Sequence, residues 1–275
     1  MKLALSSLNQ LWEDKDGNFR LCLADMEAAA SSGAKLIVFP EMTLTGFSNR
    51  VDALAEELEG SPTLIRFREA AKRYGISVVF GAIIGQRGKK AKNVAMMIDR
   101  SGELVGNYTK IHPFSMAGEN LHFTSGSEVE FAGLDGWSVG LSVCYDLRFP
   151  EIFAILAAHC DVIVNIANWP AKRVDHWRSL LKARAIENQV FMAGVNRTGI
   201  DGNGLEYQES SMLFDAYGDV VPPLEERGSL KFYWIDKAKT REIKENLNSF
   251  ADRQPELYRA LMLKHQKGQS NHAQQ

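Results

Sequence analysis

The sequence predicts an α/β fold, one domain of two similar halves in which two mixed sheets lie face to face with helices outside. The first observation is that short apolar runs alternate with amphipathic helical segments along the chain. The second is that this order occurs twice, with GAKLIVFPE and HCDVIVNIAN at matching places. The third is that 275 residues, of which 45% are hydrophobic and 24% charged, are enough to form one large core.

The first half is predicted to consist of two strand–helix units followed by an antiparallel meander. Proline just inside the start of a helix and glycine just after its end mark the second helix. The turn sequence DRSG separates the last two strands of the meander. In chain order, the predicted elements are a strand at residues 3–5, a helix from Gly17 or Asn18 to Gly33, a strand at 36–39, a helix from Ser61 to before Gly75, and strands at 77–84, 93–98 and 103–108.

The two halves meet at residues 137–151, WSVGLSVCYDLRFPE. The first part reads as a buried strand, and Pro150 with Glu151 opens a helix, so Cys144 is predicted to lie at a tight strand-to-helix connection. A thiolate is stabilised at such a position, and the backbone N–H of Tyr145 is suited to bind an oxyanion on the attacked carbon. The alternative is that Cys144 is a small buried apolar residue.

The second half repeats the pattern of strand, helix and further strands. The chain from Asp236 onwards is charged and weakly periodic, and its last dozen residues, KHQKGQSNHAQQ, are polar enough to be disordered. The predicted elements of the second set are a strand at residues 161–166, a helix at 175–188, and strands at 190–196, 210–214, 219–222 and 230–235.

Composition excludes several classes of protein. A net charge of −2 and a pI near 6.3 give no basic excess for nucleic acid or an anionic membrane. The three cysteines are widely spaced, which fits neither a disulfide framework nor a zinc site and favours the cytoplasm. No signal-peptide pattern, membrane span, metal-ligand spacing or dinucleotide fingerprint is found, so no metal and no cofactor are expected.

Three other polar residues resemble Cys144 in lying at or just beyond the end of a predicted strand. They are Glu41, Lys110 and Asn168. Loops at strand ends present functional groups in mixed α/β sheets. There Glu41 would accept the thiol proton, Lys110 would favour the thiolate and stabilise a tetrahedral intermediate, and Cys144 would attack a carbonyl or nitrile carbon. Taken one by one, Glu41 and Lys110 read as ordinary solvated loop residues.

The segments VFPEMTLTGF, YTKIHPF and GLSVCYDLRFPE resemble the three signatures of the nitrilase (carbon–nitrogen hydrolase) superfamily. The resemblance covers residues 1–235 and implies that Glu41 is the base, Lys110 the catalytic lysine and Cys144 the nucleophile. It implies that a second family glutamate falls on Glu119 and orients the lysine. It also implies an α-β-β-α sandwich, usually stacked as a homodimer. Residues 236–275 lie beyond the resemblance and are expected to form a C-terminal extension that packs in the dimer and then becomes disordered.

The segment at residues 168–203 is similar to the bacterial ω-amidase branch of that superfamily. This resemblance implies hydrolysis of the terminal amide of small ω-amido dicarboxylates such as α-ketoglutaramate or succinamate. The pocket must then hold a carboxylate, for which Arg148 is a candidate. The equal alternative for Arg148 is a structural ion pair with Glu151 or Asp146.

Further residues are candidates for the walls of the substrate pocket. Arg173 is a second possible partner for the carboxylate, and Trp169 is either a pocket wall or simply packed. His176 lies beside a tryptophan in a predicted helix and is expected to be structural rather than a base for Cys144. The remaining candidates near the three signatures are Tyr145, Asn168, Phe114 and Met116.

Two other functions compete with the ω-amidase interpretation. One keeps the mechanism and changes the substrate to deaminated glutathione, an N-carbamoyl amino acid or a nitrile. The other is a catalytically silent dimeric binding module, for which loss of Glu41, Lys110 or Cys144 would be typical. All three residues are present, which favours an enzyme acting on a small amide.

Overall fold

The structure is a computed structural model that describes the backbone of residues 1–272 and the side chains of residues 1–265. Two mixed sheets pack face to face, and helices cover their outer faces. This confirms the predicted α/β class with two mixed sheets flanked by helices. The strands are β1 (Lys2–Ser6), β2 (Leu36–Val38), β3 (Ser77–Ile84), β4 (Lys92–Ile98), β5 (Leu104–Thr109), β6 (Glu130–Leu134), β7 (Trp137–Val143), β8 (Val162–Ala167), β9 (Phe191–Asn196), β10 (Gly199–Ile200), β11 (Glu206–Tyr207), β12 (Met212–Phe214), β13 (Val220–Val221), β14 (Glu225–Arg227) and β15 (Leu230–Trp234).

The helices follow the start and stop signals of the sequence. Asp14 caps the first helix by accepting the N–H of Gly17, so the helix begins at Lys15 rather than at Gly17 or Asn18. Ser61 caps α3 and Gly75 ends it in the left-handed conformation. The helices are α1 (Lys15–Ser31), α2 (Val51–Leu54), α3 (Pro62–Tyr74), α4 (Glu119–His122), α5 (Pro150–Ala157), α6 (Val174–Asn188), α7 (Lys237–Asn246) and α8 (Pro255–His272).

The first sheet has the order β14-β15-β1-β2-β3-β4-β5. Its centre is parallel, because β1 pairs with β2 and β2 with β3 in the same direction. The strands β3, β4 and β5 then pair antiparallel in sequence, which confirms the predicted meander. Parallel strands end at one edge of a sheet, and that edge carries the loop with Glu41.

The second sheet repeats this arrangement with the order β13-β12-β9-β8-β7-β6. Here β7, β8 and β9 are parallel, and β12 and β13 continue antiparallel from β9. One prediction is wrong: the strand at residues 230–235 was assigned to the second set, but β15 pairs with β1 in the first sheet. The hydrogen bonds that place it there join opposite ends of the chain, which local sequence patterns do not report.

The main core lies between the two sheets. Alternate residues of each strand face it, as the two-residue period of a strand requires. Leu3 and Leu5 of β1 face Val164 and Ile166 of β8 in one buried cluster, whereas Ala4 packs outward. The relative position of the two sheets is therefore fixed by interlocking aliphatic side chains.

The chain from Asp236 forms α7 and α8. Most of the last dozen residues, for which disorder was predicted, belong to α8, and residues 273–275 lie outside the described residues. Among the described helices, none has the length and apolarity that crossing a membrane requires.

Candidate active site

Cys144 lies directly after β7 and begins the 3₁₀ helix Cys144–Arg148. Its φ of +48° falls in the left-handed region, which costs a residue with a side chain about 1–2 kcal/mol. Asp146 holds this turn, because its buried carboxylate accepts the N–H of Val143 at 3.1 Å and that of His112 at 3.0 Å. The hydroxyl of Tyr108 donates to the same carboxylate at 2.8 Å. The tight connection predicted around Cys144 is thus tied to the segment that carries Lys110.

Glu41 follows β2 and is completely buried. Lys110 Nζ donates to its Oε1 at 2.9 Å, and the N–H of Asn168 donates to its Oε2 at 2.9 Å. The main chain is held as well, since Gln10 Nε2 donates to the carbonyl oxygens of Glu41 at 3.0 Å and Met42 at 2.9 Å. Both the backbone and the carboxylate of Glu41 therefore have one fixed position.

Lys110 follows β5 and is paired with two carboxylates. Its Nζ lies 2.9 Å from Glu41 Oε1 and 2.8 Å from Glu119 Oε2. Glu119, the first residue of α4, is also fully buried and accepts the N–H of Phe114 at 2.5 Å. The structure thus brings Glu41, Lys110 and Glu119 together beside Cys144, although the four residues come from three separate segments of the sequence.

The charges around Cys144 favour a neutral thiol. Burial raises the pKa of the Cys144 thiol well above its usual value, and the carboxylates of Glu41 and Glu119 raise it further, against the opposing effect of Lys110. The expectation that the helix start and Lys110 stabilise a resting thiolate is therefore wrong. Two buried carboxylates outweigh one ammonium, so the thiol needs a base.

Lys110 stays charged in this environment. Burial alone would lower the pKa of Lys110, but the neighbouring carboxylates of Glu41 and Glu119 outweigh burial and hold that pKa well above its usual value. A permanent cation next to the thiol is suited to stabilise negative charge on a bound oxygen.

Cys144 opens into an aromatic pocket that carries two arginines. Arg148 lies over the ring of Trp169, with 4.9 Å from its Cζ to the ring centroid, and Arg173 lies over Phe114 at 5.6 Å. Guanidinium groups stacked in this way keep their N–H donors free for an anion. The full lining is Phe47, Lys110, Phe114, Ala117, Cys144, Tyr145, Arg148, Asn168, Trp169, Pro170, Arg173, Leu205 and Tyr207.

The structure decides several of the alternatives for these side chains. Within the described residues, Arg148 forms no salt bridge with Glu151 or Asp146. It contacts Nδ1 of His176 at 3.3 Å, and His176 is exposed outside the pocket. Met116 is 84% exposed and does not line the pocket, so its proposed role is wrong.

Trp169 is both packed and part of the pocket wall. It is 3% exposed, and Asn196 holds its main chain by accepting its N–H at 2.7 Å and donating to its carbonyl oxygen at 2.9 Å. Its indole N–H donates to the carbonyl oxygen of Arg173 at 2.7 Å. The two interpretations offered for Trp169 are therefore compatible.

Several residues of the site were not found from the sequence. Asn93, in β4, donates to both catalytic-site carboxylates. Leu205 and Tyr207 reach the pocket from a small hairpin of β10 and β11, and Asp201 fixes Tyr207 by accepting its hydroxyl at 2.9 Å. The available signal for Asn93 was a polar residue directly before the apolar run VAMMI of β4.

No group of three or more histidine, cysteine or acidic side chains in the described part of the chain is arranged to hold a metal ion. The groups present at the site are a thiol, two carboxylates, an ammonium group and two guanidinium groups.

The family model of the carbon-nitrogen hydrolases matches residues 2–245. The chain therefore belongs to the carbon–nitrogen hydrolase family, as its three motifs predicted. It is 33% identical over 230 residues to the 2-oxoglutaramate amidase of Bacillus subtilis, covering 83% of this chain and 88% of the relative. It is 36% identical over 220 residues to an omega-amidase of Yersinia enterocolitica, covering 80% and 83%.

Solved structures agree with this assignment. The fold is similar, with a TM-score of 0.84 and 29% identity, to a CN-hydrolase superfamily protein from Xanthomonas campestris that has an arsenic adduct in its active site. The alignment covers 92% of this chain and 97% of that one.

Proposed function

We propose that this protein is an amidase that hydrolyses the terminal amide of small ω-amido dicarboxylates, such as α-ketoglutaramate or succinamate, to the acid and ammonia. The observation that carries the proposal is that Cys144 and Lys110 line one pocket with two stacked arginines, and that Lys110 is paired with the buried Glu41 and Glu119. The similarity to relatives named 2-oxoglutaramate amidase and omega-amidase supports the substrate class.

In the first half of the reaction, Glu41 accepts the proton of the Cys144 thiol as sulfur attacks the amide carbon. The raised pKa of this thiol makes the transfer necessary, because little thiolate exists at rest. Lys110 and the backbone N–H of Tyr145 stabilise the oxyanion. Glu41 then passes the proton to the amide nitrogen, the C–N bond breaks, and ammonia leaves behind a thioester on Cys144.

In the second half, Glu41 accepts a proton from water as its oxygen attacks the thioester carbon. The C–S bond breaks, the sulfur recovers its proton, and the acid is released. Glu119 holds Lys110 in place through both halves, since it binds the ammonium with both carboxylate oxygens. No other reactant is needed.

The distal carboxylate of the substrate is proposed to bind at the arginines. Arg148 is four residues from Cys144 on the same 3₁₀ helix, which sets its distance from the nucleophile. The pocket walls of Trp169 and Phe114 are suited to pack against the methylene groups of a short chain. Arg148 is the preferred partner for the carboxylate, and Arg173 is the second candidate in the pocket lining.

The test combines ammonia release with mass spectrometry of the intact protein. Purified protein is mixed with α-ketoglutaramate, succinamate, an N-carbamoyl amino acid and a nitrile. We expect ammonia from the first two and a transient acyl adduct that maps to Cys144. Failure to release ammonia from either ω-amide, with Cys144 still open to alkylation, would contradict the substrate class. An adduct on another residue would contradict the mechanism.

We also infer that the protein acts as a cytoplasmic homodimer, with residues 1–235 as the hydrolase domain and the chain from Asp236 as a packing extension. Free thiols at Cys22, Cys144 and Cys160 support a reducing compartment. Several large apolar side chains of α8 are exposed, which supports packing against a second copy. They are Leu257, Tyr258, Leu261, Met262 and Leu263.

A further inference from the structure

Asn93 contacts both carboxylates of the site from the start of β4, next to the edge strand β5 of the first sheet. Its Nδ2 lies 2.7 Å from Glu41 Oε1 and 2.8 Å from Glu119 Oε1. These are the same two oxygens that Lys110 Nζ binds, at 2.9 Å and 3.1 Å. An amide nitrogen and an ammonium nitrogen therefore join the two carboxylates in a closed ring of four polar atoms.

The orientation of the Asn93 side chain follows from its partners. Both neighbours of its nitrogen are carboxylate oxygens, so only the NH₂ end of the amide can face them. The carbonyl end of the amide has no such partner: within the described residues, Oδ1 of Asn93 is buried without a hydrogen bond. The two carboxylates therefore set the orientation of the amide, and the cost is one orphan acceptor.

The neutrality of Asn93 also matters. The ring contains two carboxylates and one ammonium, so its formal charge is −1. A second cation in place of Asn93 would neutralise the ring and weaken Glu41 as a base. An amide supplies the same hydrogen bonds without changing the charge. It therefore holds Glu41 in place while leaving it able to take a proton.

From these contacts we propose that Asn93 is a positioning residue that fixes the carboxylates of Glu41 and Glu119 against each other for the reaction. The proposal rests on the proposed function of Glu41 as the base. It adds that this base depends on a neutral donor in β4. The backbone supports the placement, since the N–H of Lys110 donates to the carbonyl oxygen of Asn93 at 2.9 Å.

Asn165 offers a matched control. It lies in β8, is fully buried, and its Oδ1 is likewise without a partner among the described residues. Its amide nitrogen, however, donates to the hydroxyl of Ser142 at 3.0 Å and not to a carboxylate. Replacing either asparagine by leucine removes a buried amide from a strand, so the cost in stability should be similar.

The experiment compares Asn93→Leu, Asn93→Asp and Asn165→Leu with the wild type. Three quantities are measured: the thermal midpoint, kcat/KM for succinamate against pH, and the rate of Cys144 alkylation by iodoacetamide against pH. For Asn93→Leu we expect at least a tenfold loss of kcat and little change in KM. We also expect the acidic limbs of both pH profiles to shift to higher pH by about one unit, because a hydrogen-bond donor to the two carboxylates is lost.

The other variants separate positioning from stability. Asn93→Asp has nearly the same shape and adds a third carboxyl group, so its acidic limbs should move at least as far. Asn165→Leu should lower the thermal midpoint without moving either limb. The proposal is overturned if Asn93→Leu keeps the wild-type limbs and loses no more activity than Asn165→Leu. Alkylation needs no amide substrate. If the wild type hydrolysed no amide but the alkylation profile of Asn93→Leu were still shifted, the proposed function alone would be rejected.

Discussion

Glu41 receives three N–H donors, from Lys110, Asn93 and the main chain of Asn168, and still has to act as a base. The three donors hold the carboxylate in one position, where it can accept the proton of the Cys144 thiol. A cysteine with a raised pKa can therefore be used as the nucleophile. The proton moves only when the carbon is being attacked, and a reactive thiolate does not persist between turnovers.

The first prediction concerns the identity of the base. Glu41→Gln keeps the shape of the side chain but removes its basicity, so kcat should fall by about 10²–10⁴-fold. His176→Asn should retain most of the activity, because His176 is exposed outside the pocket. Steady-state ammonia release from succinamate measures both. If both substitutions reduced kcat equally, the assignment of Glu41 as the base would be wrong.

The second prediction concerns the substrate carboxylate. Arg148→Met should reduce kcat/KM for succinamate by about 10–100-fold, since a hydrogen bond to a charged group contributes about 1.5–3 kcal/mol. Butyramide, which has the same chain length and no carboxylate, should be hydrolysed at an unchanged rate. The exposed Arg178, on α6, is the matched control, and Arg178→Met should affect neither substrate. A larger effect from Arg173→Met than from Arg148→Met would show that the substrate carboxylate binds at Arg173.

At this scale the sequence predicted the reacting groups better than their supports. Glu41, Lys110, Glu119 and Cys144 lie in motifs that can be recognised, and the structure brings them together. Asn93 could not be predicted, because nothing local to KNVAMMI shows that two carboxylates face it. The direction of the Cys144 pKa shift was also predicted wrongly, since it depends on burial and on charges that converge from distant segments.

Among the elements, β3 has a specific function in placing Glu41. It passes directly beside the loop after β2, and Gly81 exchanges hydrogen bonds with Thr43 there, its N–H donating to Oγ1 at 2.8 Å and its carbonyl accepting at 3.0 Å. A Cβ added at Gly81 would overlap the backbone nitrogen of Met42 and lie 2.9 Å from the Cα of Glu41. The close approach therefore requires glycine.

The third prediction follows from this approach. Gly81→Ala should push the Glu41 loop away from β3 and reduce kcat by about 100-fold, as expected for a displacement near 1 Å. Gly133→Ala is the control, because Gly133 lies in strand β6 and has no atom within 4 Å of an added Cβ. Activity and thermal midpoint are measured together. Full activity in Gly81→Ala would show that the loop can adjust without moving the carboxylate.

The element pattern also shows how far local signals reach. The meander of β3, β4 and β5 was predicted because short turns force neighbouring strands to pair. The sheet to which β15 belongs was not predicted correctly, because its partner strand β1 lies at the other end of the chain. The N-terminal amino group even donates to the carbonyl oxygen of Ile235, across 234 positions. Pairings of this kind are selected by packing of the whole domain.

For the whole molecule, the fourth prediction concerns assembly. Leu257 and Leu261 are one helical turn apart on α8, and both are exposed. In a homodimer that buries this face, Leu261→Glu should convert the protein to a monomer, whereas Arg259→Glu, on the opposite side of the helix, should leave the dimer intact. Sedimentation velocity at micromolar protein measures the mass. A wild type that sediments as a monomer would contradict the dimer.

The two sheets contribute different members of the reacting set. Glu41 and Lys110 extend from the ends of β2 and β5, whereas Cys144 and Asn168 follow β7 and β8. The distance between the Glu41 carboxylate and the Cys144 sulfur therefore depends on the thickness of the aliphatic layer between the two sheets. A single methylene added or removed deep in that layer would change the turnover rate without touching any group that meets the substrate.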